Sequence, residues 1–179
     1  NKILAYRKYV GKEIIEIKYY IDKFKLSDII TPELIRHASI KTSKNNTLFL
    51  ETEEIINNIY IIVDGIVEVS SIMENGKHVT IDMLEPLSIL GDIEYVTGLY
   101  HTLQNLITRK ENTKLIMIEF KYLDSLLADN VHFWKKIAVE SADKLIRTNY
   151  AVLKRLNNKL EDIIIDLLIE SNNEYRFSS

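Results

Sequence analysis

The chain has 179 residues, 46% of them hydrophobic, a formal net charge of −3 and no cysteine. That length holds one sizeable core plus an appendage. Without cysteine there are no disulfides, no Cys-held iron–sulfur clusters and no Cys-based zinc sites, which suits a reducing cytoplasm; the acidic balance lacks the positive surplus of a free-standing nucleic-acid-binding domain.

No apolar run is long enough to cross a membrane, so no membrane partner is expected. The start, NKILAYRKYVGKE, is amphipathic and charged rather than a signal peptide, and Asn1 in place of Met makes a trimmed N-terminus the expectation. Five Gly and two Pro leave little room for long linkers.

Lys2 to Phe24 reads as a helix, with Ile14, Ile15, Ile17, Ile21 and Phe24 as its apolar face. A second short helix is expected from Thr31-Pro32-Glu33 through Leu34, Ile35 and Ala38. Thr suits the N-cap, Pro the first helical position and Glu the positive end of the dipole. Both helices are expected to cover one side of a β-domain.

From Ile40 to Ile118 the pattern is that of strands: Ser39–Thr42, Thr47–Leu50, Ile59–Val63, Ile66–Ile72, His78–Leu84, Leu103–Thr108 and Thr113–Ile118. Asp64-Gly65 and Asn75-Gly76 read as hairpin turns, because such pairs supply the positive φ angles of two-residue primed turns. After Asn75-Gly76 the chain alternates, with Val79, Ile81 and Met83 on one face and His78, Thr80 and Asp82 on the other. Pro86 ends ladder pairing, and Leu90-Gly91-Asp92 opens an irregular corner, the expected place for a ligand. Short, evenly spaced strands of this kind predict a sandwich, roll or jelly-roll within an α+β chain.

After Ile118 the period becomes helical. Phe120–Leu127 is a short helix, and Asn130 reads as the N-cap of a long one over Val131–Asn157. On it Ala138, Ala142, Leu145, Asn149, Val152 and Leu156 are spaced 4, 3, 4, 3, 4, a heptad seam. Ala142, Asn149 and Leu156 take the a positions and Ala138, Leu145 and Val152 the d positions, so Asn149 is the buried polar residue that fixes a two-stranded register. A second line, Phe133, Ile137, Ile146, Tyr150, Leu153 and Leu160, is free to pack on the β-domain. Glu161–Glu170 is read as a further helix whose apolar residues Ile163, Ile164, Leu167 and Leu168 either pack back on this domain or meet a further domain.

This order of parts resembles the Crp–Fnr family of bacterial transcription regulators. The local matches are Ile59–Val69, similar to the family's strand–turn–strand, Asn75-Gly76-Lys77, similar to its hairpin, and Gly91-Asp92, where the family has Gly-Glu. The resemblance implies an effector-sensing β-roll like a cyclic-nucleotide-binding domain over residues 1–128. It implies a dimerisation helix over 129–158, and over 159–179 the start of a DNA-binding domain whose helix-turn-helix would follow. It thus implies a homodimer and DNA as partners, and no catalytic role.

The resemblance also implies pocket residues. The acid after Gly91, here Asp92, would hold a ribose 2′-hydroxyl. Counting on from Gly91 puts His101 and Thr102 where cyclic-AMP binders have an Arg-Ser or Arg-Thr pair on the cyclic phosphate. No Arg stands between Asp92 and Thr108, and Arg109 falls late, at a strand end, so a cyclic phosphate lacks its bidentate, charge-assisted contact. Thr148-Asn149 matches the Thr-Ser pair that reaches adenine from the long helix. The implied effector is a small molecule other than a cyclic nucleotide held in that manner. His101 is also simply accounted for as an exposed loop residue, and Asn149 by the seam alone.

Other chemistries find no pattern. A metal-dependent cupin needs a His-x-His pair, and His37, His78, His101 and His132 are scattered, so no metal site is expected. Nucleophile-elbow, dinucleotide and phosphate-loop motifs are absent. Asp162, Asp166 and Glu170 form a carboxylate stripe that reads as a solvated helix face.

Overall fold

The computed structural model describes the backbone of residues 2–176 and, within it, the side chains of residues 11–154 with Leu156, Ile164 and Ile165. The chain divides into two compact units, Asn1–Ser141 and Ala142–Ser179.

Helix α1 (Lys2–Phe24) buries Ile17, Tyr20 and Ile21, which share one face at three- and four-residue spacings. Ile15, expected on that face, is 69% exposed, because two positions from Ile17 put it on the opposite side. Helix α2 (Pro32–Ile35) starts as expected: Pro32 leads it and Thr31 Oγ1 accepts from the Leu34 N–H at 3.3 Å. It makes a single turn, and Ala38, expected at its end, opens the first strand instead.

Eight strands follow: β1 (Ala38–Ser43), β2 (Thr47–Leu50), β3 (Asn58–Asp64), β4 (Val67–Ile72), β5 (His78–Leu84), β6 (Ile89–Leu90), β7 (Asn105–Thr108) and β8 (Thr113–Glu119). They form two antiparallel four-stranded sheets in the orders β1-β8-β3-β6 and β2-β7-β4-β5. Phe49 of β2 meets Tyr60 of β3 edge to face, ring centroids 5.6 Å apart, so the sheets face each other across the core. Ile59 to Val63 are all buried, because β3 is central and covered on both sides. This is why the run is continuous rather than alternating.

Successive strands mostly change sheet, and this corrects one expectation. Asp64-Gly65 is not a hairpin turn: β3 pairs with β6 and β8, whereas β4 pairs with β5 and β7. Gly65 (φ +97°) turns the chain from one sheet to the other, pressed so close to Thr113 that a Cβ would lie 2.7 Å from the Thr113 Cα. Asn75-Gly76 does close a hairpin, β4 to β5, but only Gly76 has positive φ, and the Gly76 N–H donates to the Met73 carbonyl. The loop is thus a three-residue turn ending in a left-handed glycine. A bulge at Ile81 of β5, opposite the step from Val69 to Ser70 of β4, breaks the expected alternation of β5. Asp82 and Leu84 pair with Val69 and Val67, while Met83 pairs with Glu68 and Thr80 with Ser70, so Met83 and Thr80 share a face.

Helix α3 (Asp92–Thr97) fills the irregular corner after β6, and helix α4 (Phe120–Leu126) follows β8. Asn130 caps the last helix, α5 (Val131–Arg176), its Oδ1 accepting from the Phe133 N–H at 2.9 Å. α5 is continuous where two helices were expected, since no Gly or Pro stands between Asn157 and Glu161 to break it. Phe133 and Ile137 are buried in the first unit. In the second, Ile146, Tyr150 and Leu153 are exposed rather than packed. The side chains of Leu160, Asp162, Asp166 and Glu170 lie outside the described residues.

Candidate effector site

The corner after β6 is built on Gly91. It adopts φ +81°, and a Cβ there would lie 2.5 Å from the Asn58 carbonyl oxygen, so only glycine fits between β6 and β3. This turn delivers Asp92 to the first turn of α3, at the positive end of its peptide dipoles. Asp92 is 1% exposed, and its Oδ2 accepts from the Ser141 hydroxyl of α5 at 3.3 Å. The acid expected to meet a ribose hydroxyl therefore also ties α3 to α5, a contact with no signature in the sequence.

Gly98, also left-handed, closes α3, and the chain returns along the loop that follows β2. His101 bridges Ile55 through its backbone, its ring Nδ1 lies 3.2 Å from the Glu53 carbonyl, and its side chain is exposed. Thr102 is buried. Its hydroxyl donates to the Glu51 carbonyl and lies 3.4 Å from that of Glu54, while its N–H donates to Glu54 at 3.0 Å. His101 and Thr102 are thus laced to residues 51–55, where the Thr102 hydroxyl donates to backbone.

Arg109 follows β7, at the strand end where the spacing puts it. Its backbone N–H donates to the Ile66 carbonyl, its Nε to the Glu68 carboxylate, and its Nη1 to Asn46 Oδ1 at 2.6 Å. Glu68 is 4% exposed and also accepts from the Thr80 hydroxyl at 2.7 Å, with His78 Nε2 3.5 Å away. Burial pushes the Glu68 carboxyl up, but the hydrogen bonds from Thr80 and Arg109 and the nearby positive charge outweigh it and hold it below the usual carboxylate range. The reading of the sequence passed over this cluster; its one trace is a lone acid inside the apolar strand Ile66–Val69.

Gly91 and Asp92 therefore share one corner, while His101 and Thr102 lie on the neighbouring loop. Thr148 and Asn149 belong to the second unit, where both are exposed. The six seam positions, from Ala138 to Leu156, are exposed as well. Among the described residues, no three His, Asp or Glu converge to hold a metal ion, and no helix is long and apolar enough to cross a membrane.

Three solved structures share this fold. The sensor domain of the transcriptional regulator DNR from Pseudomonas aeruginosa superposes with a TM-score of 0.56 at 12% identity, over 84% of this chain and 93% of that one. The c-di-GMP-responsive global regulator CLP from Xanthomonas campestris gives 0.58 at 14% identity, over 74% and 66%. The regulatory subunit of a cAMP-independent protein kinase A from Trypanosoma brucei gives 0.60 at 13% identity, over 82% and 53%. A triple variant of this last protein, with one substitution introducing an arginine, was solved bound to cAMP at the same identity and coverage. The chain thus spans between about half and two thirds of CLP and of the kinase subunit. No curated protein sequence matches it. The family model described as "Cyclic nucleotide-binding domain" matches residues 40–130, which hold all eight strands but the first two residues of β1, with α3 and α4. The chain belongs to the cyclic nucleotide-binding domain family.

Proposed function

We propose that this sensory regulatory domain is the effector-sensing and dimerisation region of a Crp–Fnr-type transcription regulator whose effector is not held through a cyclic phosphate. The observation that carries the reading is the state of Arg109. It is the first arginine after Asp92, and its guanidinium is engaged by Glu68 and Asn46. A phosphate in the roll would have to draw it from a buried carboxylate, leaving that charge uncompensated. The Trypanosoma brucei subunit, cAMP-independent and solved with cAMP in a variant that gains an arginine, supports the same inference.

The contact from Ser141 to Asp92 supports a route from effector to helix. A ligand that competes for the Asp92 carboxylate loosens α3 from the start of α5. In a dimer built on α5, that change alters how the two helices cross and re-aims recognition helices beyond the chain at half-sites about one DNA turn apart.

Isothermal titration calorimetry of cyclic AMP and cyclic GMP into the protein tests this. The expected outcome is no heat at micromolar concentrations of either. Micromolar binding that disappears in Asp92→Ala overturns it. A second reading, a ligand-binding module with no DNA role, is favoured by the kinase subunit sharing the fold. A helix-turn-helix encoded beyond the Ser179 codon decides for the first reading, and a stop codon there for the second.

A further inference from the structure

The second half of α3 carries another feature. Tyr95 and Val96 lie three and four residues beyond Asp92. With Tyr100 of the following loop, Asp124 of α4, Ala128 just after it and Trp134 in the first turn of α5, they line a cavity of about 340 Å³. All six belong to the first unit.

Its walls are held by their own polar ends. The Tyr95 hydroxyl donates to Asp124 Oδ1 at 2.7 Å, and the Trp134 indole N–H donates to the Ala128 carbonyl at 2.9 Å. The Tyr95 and Trp134 rings lie within 15° of parallel with centroids 6.0 Å apart, and both Tyr95 and Tyr100 pack on Phe120. Burial, reinforced by the bond to Asp124, pushes ionisation of the Tyr95 hydroxyl well above its usual range, so it remains a donor. Tyr100 is 53% exposed and Val96 55%, which leaves the cavity open to solvent.

Three aromatic rings and one carboxylate line this cavity, and among the described residues no Lys, Arg or His does. Ring faces are negative and attract a cation within about 6 Å of the centroid, most strongly one whose charge is diffuse and weakly hydrated. An anion would meet Asp124 without a counter-charge. A hard divalent cation would need six or so oxygen ligands, whereas this wall has one carboxylate. The volume falls at the small end of ligand sites.

We propose that this cavity binds an alkylated ammonium group, with the rings of Tyr95, Tyr100 and Trp134 around the cation and the Asp124 carboxylate as its counter-charge. The site differs from the effector corner and stands or falls without the function proposed above. Because α3 carries Asp92 at its start and Tyr95 and Val96 in this wall, a cation here and an effector in the roll bear on the same short helix.

The chain contains a single tryptophan, so the emission of Trp134 reports directly on the site. The probe is choline chloride, titrated against sodium chloride at matched ionic strength, with 3,3-dimethyl-1-butanol as the uncharged isostere. The expected result is a saturable change in emission with choline in the millimolar range and none with the alcohol. Asp124→Asn and the exposed Tyr100→Leu should each weaken choline about fivefold while leaving circular dichroism and Tm unchanged. Phosphatidylcholine vesicles form a second arm. Co-sedimentation lost in Asp124→Asn places the group on a lipid headgroup, and choline binding without co-sedimentation assigns a free small molecule. An equal response to the neutral alcohol, no saturation, or unchanged affinity in both variants overturns the proposal.

Discussion

Glu68 shows how one side chain changes the meaning of another. In the sequence Arg109 is only an arginine that comes too late for a phosphate; in the fold it is the counter-charge of a carboxylate 4% exposed. Arg109→Ala would leave that carboxylate with the Thr80 hydroxyl and the His78 ring. A fully buried charge stripped of its partner costs about 3–5 kcal/mol, but the Arg109 side chain is 31% exposed and water enters beside it, so about 2 kcal/mol is expected. Urea unfolding at neutral pH measures it. The same site contributes to acid sensitivity. The folded Glu68 carboxyl sits below its unfolded value of about 4.3, so its stabilisation is present above that pH and is lost as pH falls through the folded value. Glu68→Gln should flatten the loss of Tm between about pH 5 and about pH 3 relative to the unmodified protein.

At the scale of the element, periodicity located seven of the eight strands to within about two residues, because each is long enough to show a pattern. It missed β6 and α3, which have two and six residues and present no period to read. It also mistook the turn at Asp64-Gly65. A left-handed glycine between two apolar runs is compatible with a hairpin and equally with a corner between sheets, and only pairing distinguishes them. The corner makes a sharp prediction. In a solvent-facing hairpin, alanine at this position costs about 1 kcal/mol in backbone strain. At Gly65 a Cβ also meets the Thr113 backbone, so Gly65→Ala should cost about 3 kcal/mol or more by chemical unfolding. Gly76, which has nothing within 4 Å of a built Cβ, serves as the control, with strain alone.

Across the whole molecule, α5 carries the line of residues that the heptad spacing offers as a seam. Leu145, Val152 and Leu156 are 63%, 46% and 53% exposed on one heptad line with Ala142 and Asn149. If that line is the seam of a homodimer, Leu145→Asp with Val152→Asp should convert a dimer to a monomer in sedimentation equilibrium without altering the sheets seen by circular dichroism. A wild-type chain that sediments as a monomer sinks the seam.

The sequence by itself determined the order of the seven longer strands between their flanking helices, the caps at Thr31 and Asn130, and the lack of an arginine from Asp92 to Thr108, because caps, periods and residue identity are local. Tertiary structure alone decided which strands share a sheet, that Asp92 reaches Ser141, that Arg109 belongs to Glu68, and that Tyr95, Asp124 and Trp134 enclose one cavity. The hydrogen bonds from Tyr95 to Asp124, Arg109 to Glu68 and Ser141 to Asp92 join residues 29, 41 and 49 positions apart, and no local pattern records which distant side chain will fill the other half of such a bond.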